Sequence, residues 1–67
     1  MIDEIFVSVR RCSKGIFEIC IKNFIIRTLS NVDDLKGYLR WLRHENSGLF
    51  VYFDFIGFSN YELMEIK

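Results

Sequence analysis

The sequence predicts an α+β fold: a small antiparallel sheet of four to five strands with one helix packed on one face, in the order β-β-(β)-α-β-(β). Three observations predict it. Residues 5 to 21 alternate apolar and polar side chains on either side of a Ser-Lys-Gly turn. Residues 32 to 42 repeat apolar side chains at helical spacing. Residues Leu49 to Phe58, LFVYFDFIGF, are apolar on both sides of a strand. A single helix covers one side of such a sheet. The other side has to meet water, a second copy of the chain or a different molecule.

The first strand carries Ile5, Val7 and Val9 in alternation with Phe6, Ser8 and Arg10. Ser13-Lys14-Gly15 closes a hairpin, because a three-residue loop wants glycine at its left-handed third position. This turn pairs Arg11 with Phe17, Val9 with Ile19 and Val7 with Ile21. All six apolar residues of one face then agree, and a one-residue slip would mix the two faces.

The apolar phase changes after Ile21, which places a tight turn or a bulge at Lys22-Asn23. The turn is favoured, since asparagine tolerates positive φ. It puts Phe24, Ile26 and Thr28 on the apolar face and lines up Arg10, Glu18 and Arg27 on the other.

Ser30 caps the helix, with Asp33 bonding back to it. Val32, Leu35, Leu39 and Leu42 form its buried stripe, flanked by Tyr38 and Trp41. The two early acids and the late Arg40, Arg43 and His44 suit the helix dipole. Gly37 stands mid-helix, where it costs about 1 kcal/mol relative to alanine; close approach of another backbone would explain it. Asn46-Ser47-Gly48 ends the helix.

In the strand from Leu49 to Gly57, the residues Leu49, Val51, Phe53 and Phe55 join the core. Phe50, Tyr52, Asp54 and Ile56 look the other way. The remaining residues are read as a strand, although Ser59-x-x-Glu62 also matches a capping box for a two-turn helix.

Sixty-seven residues make one domain, spanning 1–67. A chain this short buries only about 60% of its unfolded surface, yet 51% of it is hydrophobic and eleven residues are aromatic. That surplus of apolar side chains raises the expectation of an interface. Net charge is zero, which argues against a generic nucleic-acid coat protein. Charge is nevertheless uneven, with +5 over residues 10–44 against −2 before and −3 after.

Cys12 and Cys20 lie four rungs apart in the hairpin, roughly 13 Å at about 3.3 Å per residue. A disulfide needs Cα atoms within about 7 Å. Reduced thiols, with no apolar run near the ~20 residues of a membrane span and no signal-peptide pattern, point to the cytoplasm.

Three surfaces are candidate sites. The outer sheet face mixes Phe6, Ile25, Phe50, Tyr52 and Ile56 with Arg10, Arg27 and Asp54, an apolar centre with a charged rim. The helix carries a basic stripe of Lys36, Arg40 and Arg43 beside Trp41, suited to phosphate or an acidic protein surface. Arg10, Arg11 and Lys14 cluster at the first hairpin tip. No grouping of side chains suggests catalysis, a metal site or a cofactor. His44 stands alone, and Asp54 lacks a second polar partner.

These features predict a small non-enzymatic protein-interaction module that acts by occluding a partner surface. A freestanding domain rich in Ile, Lys, Asn and Phe suits the small proteins of phages and mobile elements in AT-rich bacteria. Inhibitors of host defence, such as anti-CRISPR proteins, are among them. Two alternatives stand beside this reading: a nucleic-acid-binding domain using the basic hairpin and helix face, and a structural homodimer.

Overall fold

The computed structural model describes residues 3–13 and 15–66. Its elements are β1 (Glu4–Arg11), β2 (Phe17–Ile21), β3 (Phe24–Leu29), α1 (Val32–Glu45), β4 (Phe50–Ile56) and α2 (Asn60–Ile66). One four-stranded sheet has the order β3-β2-β1-β4, and α1 packs on one of its faces through Leu35, Leu39 and Leu42.

The first hairpin has the expected register, with Val9 opposite Ile19 and Arg11 opposite Phe17. Gly15 takes φ +78°, as the loop requires, and the Ile16 amide donates to the Ser13 carbonyl at 2.8 Å. The four most deeply buried side chains, Val7, Val9, Ile19 and Leu35, come from the alternating hairpin and the helical stripe.

The second hairpin contains both of the devices weighed at Lys22-Asn23. Lys22 and Asn23 both have positive φ, 53° and 68°, which turns the chain in two residues and pairs Ile21 with Phe24. A register shift between Ile19 and Cys20 then leaves Ile26 as an extra residue, so that Arg27 pairs with Ile19 and Leu29 with Phe17. The bulge reverses the expected facing of the strand's second half. Leu29, not Thr28, packs against the core. Arg27 leaves the outer face, and the ladder of Arg10, Glu18 and Arg27 does not form.

Helix α1 starts one residue later than expected. Asn31, not Ser30, is the N-cap, with extended φ −146° and ψ 160°. Its Oδ1 accepts from the Asp34 amide at 2.7 Å, and its Nδ2 donates to Asp34 Oδ2 at 2.8 Å. Asparagine caps as well as serine, and seating Leu29 in the core moves Ser30 out into the linker. At the far end, the Asn46 amide donates to the Leu42 carbonyl at 3.1 Å.

The sheet is mixed rather than fully antiparallel, because β4 runs parallel to β1. Fourteen residues of helix span about 21 Å at ~1.5 Å per residue. Seven residues of strand span about 23 Å at ~3.3 Å each. The helix therefore carries the chain from the end of β3 back along the whole sheet, and β4 has to run in the direction of β3 and β1.

The last segment is a helix, not a fifth strand. Gly57 has φ +83°, and a Cβ there would sit 3.1 Å from the Arg11 carbonyl oxygen. After this turn the capping box forms: Ser59 Oγ accepts from the Glu62 amide at 3.2 Å, and the Ser59 amide donates to Glu62 Oε1 at 3.0 Å. Phe58 stacks on Phe17 at 5.7 Å and meets Phe55 edge-on at 5.5 Å. Phe17 and Phe55 belong to the inner face, so α2 lies on the same side of the sheet as α1.

Two glycines should respond in opposite directions to alanine. Gly57→Ala forces a side chain into the left-handed region against a backbone oxygen, and should destabilise by about 1–2 kcal/mol. Gly37 has nothing within 4 Å of where a Cβ would be, so the close backbone approach does not occur. Gly37→Ala should stabilise by up to about 1 kcal/mol. Urea unfolding of the two variants measures both changes.

Candidate protein-binding surfaces

The outer face of the sheet is uncovered among the described residues. Parallel pairing aligns Phe6 with Tyr52, Ser8 with Asp54 and Arg10 with Ile56. The Phe6 and Tyr52 rings stack at 5.2 Å. Phe6 is 66% exposed, Phe50 57%, Ile25 56% and Tyr52 46%, so the stacking shields them only in part. Ile56 is exposed as well, and Cys20 is buried among these neighbours. Arg10 pairs with Glu18 at 3.7 Å, while Asp54 is exposed. Lys22 belongs to the turn before β3.

The structure divides the basic residues expected to act together. Arg10 opens on the outer face. Arg11 points to the opposite side, where its Nε meets Glu62 Oε2 of α2. Lys14 lies outside the described residues. Arg27 covers the Tyr38 ring at 5.7 Å, and Tyr38 in turn stacks on Trp41 at 5.4 Å. Trp41 is thereby held in an intramolecular stack with half its surface open. Among the described residues, Arg10 and Arg11 of the hairpin and the cations of α1 do not form one continuous basic face.

Lys36, Arg40 and Arg43 do come together. They form the wall of a groove of about 690 Å³ between α1 and β4. Leu39, Val51, Phe53 and Phe55 supply its apolar lining, together with Tyr52 and with Ile66 of α2. The Arg43 guanidinium lies 5.1 Å from the centre of the Phe53 ring. No carboxylate lines this groove among the described residues, and its three cations make no ion pair there. Sequence reasoning found the basic stripe but missed the groove. Finding it needs the parallel placement of β4 and the position of α2.

The ionisable groups elsewhere have structural surroundings. Glu62 is held below the ordinary glutamate range, first by the hydrogen bond from the Ser59 backbone, then by the Ser59 hydroxyl and by Arg11. Cys12 is exposed and Cys20 buried, and both are free. Partial desolvation, followed by a hydrogen bond to Glu18 and its negative charge, raises the Cys12 thiol above its usual value. A raised thiol is a poor nucleophile. Among the described residues no three His, Cys, Asp or Glu side chains group as metal ligands, and no helix is long and apolar enough to cross a membrane.

Comparison with protein-family models, with curated proteins and with solved structures finds no match to this chain.

The docking of α2 should depend on pH through Glu62. Its folded-state value is depressed, so its contribution is present above the ordinary carboxyl range, about 4.3. It is lost as pH falls through the lower folded value. The Ser59 and Glu62 amide resonances should move together in an acid titration, with a midpoint below that of free glutamate. Glu62→Gln should abolish this shared transition.

The two thiols should separate cleanly. Cys12 should react with a disulfide reagent in the native protein, slowly at neutral pH and faster as pH rises. Cys20 should react only on unfolding. One fast and one slow equivalent in a native titration at alkaline pH would agree with this; two equal rates would not.

Proposed function

We propose that this chain is a non-enzymatic protein-interaction module that docks through the open face of its sheet. The observation that carries this reading is the placement of α2. The last segment joins α1 on the inner side and leaves Phe6, Ile25, Phe50, Tyr52 and Ile56 uncovered. Burying one such side chain fully is worth about 1.5–3 kcal/mol, so covering several is a large term for a domain of marginal size. The division of the basic residues among three separate surroundings favours a protein over a nucleic acid as partner. The two thiols are free, which fits a reducing compartment, and a cytoplasmic location is part of the proposal. The geometry adds nothing to the narrower expectation of a phage-borne inhibitor, and the proposal does not depend on it.

A second reading, a homodimer through the same face, has its own support. The polar residues of the face carry both signs, with Asp54 and Arg10 following the Phe6–Tyr52 pair along the two parallel strands. A two-fold interface needs a patch complementary to itself, and the presence of both signs beside the apolar centre supports this reading.

A photo-reactive phenylalanine at Tyr52 tests the proposal, with the same probe at the exposed Glu45 as control. Position 52 should give one discrete adduct in cells, its mass identifying either a second copy or another protein. Equal labelling from both positions, or none from position 52, would refute docking by this face. In parallel, light scattering should show that Tyr52→Lys with Ile56→Lys leaves the fold intact and abolishes any dimer.

A further inference from the structure

We infer that the groove between α1 and β4 binds an extended acidic segment of a partner protein, which joins the sheet as a fifth strand along the edge of β4 at residues 51–54. Three independent features of the groove define this occupant.

The first is charge. Lys36, Arg40 and Arg43 face the groove without an ion pair among the described residues. In a chain of zero net charge, this is a local concentration of one sign. It selects an acidic partner.

The second is the strand edge. β4 pairs only with β1 among the described residues and ends the sheet. Val51 and Phe53 come from its inner face and Tyr52 from its outer face, and all three line the groove. A groove lined from both faces of a strand opens along that strand's edge. Proteins ordinarily guard such an edge with lysine, proline or a bulge. The opposite edge strand, β3, has a bulge and Arg27. Over Val51 to Asp54, β4 has no bulge, and its only charged residue is Asp54. An unguarded edge beside an apolar groove suits β-augmentation.

The third is spacing. Lys36, Arg40 and Arg43 rise about 10 Å along α1 at ~1.5 Å per residue. On an added strand, alternate side chains point to the α1 side about 6.6 Å apart. Carboxylates at two or three alternate positions match the cationic wall. The positions between them face outward beside Tyr52.

A nucleic acid fits less well. The apolar lining of Val51, Phe53 and Phe55 offers burial to apolar side chains, and Arg43 already occupies a face of the Phe53 ring. Base stacking on that ring is thereby blocked.

The test uses the whole chain and a capped peptide of about eight residues in which Glu and Val alternate, a typical strand length. Binding is followed by calorimetry and by amide shifts. The peptide should bind, move the amides of Val51–Asp54, and weaken as salt rises. Three controls should bind at least about tenfold more weakly: the same peptide with Lys for Glu, a peptide with its Glu residues grouped at one end, and one N-methylated at alternate amides. Lys36→Glu with Arg40→Glu should cost about tenfold or more in affinity. The milder Arg40→Gln keeps the test valid if the double variant unfolds, and should cost a smaller factor. Failure of the alternating peptide to bind would overturn the inference. So would equal binding by the Lys or the N-methylated peptide. Tighter binding of an oligothymidylate would assign the groove to nucleic acid instead. Tyr52 borders both surfaces, so the open sheet face is judged separately by the same photo-reactive probe at Phe6, which does not line the groove.

Discussion

The turn at Gly57 decides which surfaces of this molecule are available. With φ at +83° and no Cβ to meet the Arg11 carbonyl, the chain leaves β4 toward the side that α1 already covers. Phe58 then lands on Phe17 and Phe55, Ile66 packs against the same core, and Glu62 reaches Arg11. Had the turn gone the other way, α2 would roof Phe6 and Tyr52. Instead both helices form one layer, and the aromatic strand between them in the chain is covered on one side only.

The same geometry sorts the charges. Arg10 and Arg11 are adjacent in sequence, but the pleat sends them to opposite faces. One meets Glu18 across the hairpin, and the other meets Glu62 after the Gly57 turn. Arg27 would have stayed with Arg10 in an unbroken strand. The bulge at Ile26 turns it under the sheet to Tyr38. Three cations are thus absorbed by the fold, and the three on α1 are left facing an apolar groove. The basic middle of the sequence is therefore not one functional unit.

Much of this architecture is legible in the sequence, and the failures have definite physical causes. The first hairpin is legible because a glycine-dependent turn and two consistent faces specify one register. The helical stripe and the facing of β4 are legible because period 3.6 and period 2 are unambiguous over those lengths. The facing of β3 beyond Ile25 is not, because a bulge costs a single residue and leaves no mark in a run as uniformly apolar as Phe24-Ile25-Ile26. The direction of β4 is not legible from its own residues; it follows from the length of α1. The last segment matches two templates equally, and the choice falls to contacts that only the folded chain brings together: Phe58 on Phe17 and Arg11 on Glu62. For the same reason the basic stripe is visible in the sequence while the groove beside it is not.

The demands of folding do not account for what remains exposed. The core is built from Val7, Val9, Phe17, Ile19 and the three leucines of α1, none of which needs an aromatic outer face. Phe6 and Tyr52 stabilise each other by stacking, an effect of about 0.5–1.5 kcal/mol, but Phe50, Ile25 and Ile56 have no comparable return. A polar residue at these positions would cost the core little and would lower the risk of aggregation. The edges show the same asymmetry. β3 carries the bulge and the charge that blunt strand-to-strand pairing, whereas β4 has no bulge over residues 51–54 and lies beside three cations that make no ion pair among the described residues. Exposed apolar surface and an unguarded edge occur on the same strand. Their coincidence on β4 is the ground on which contact with another chain is proposed.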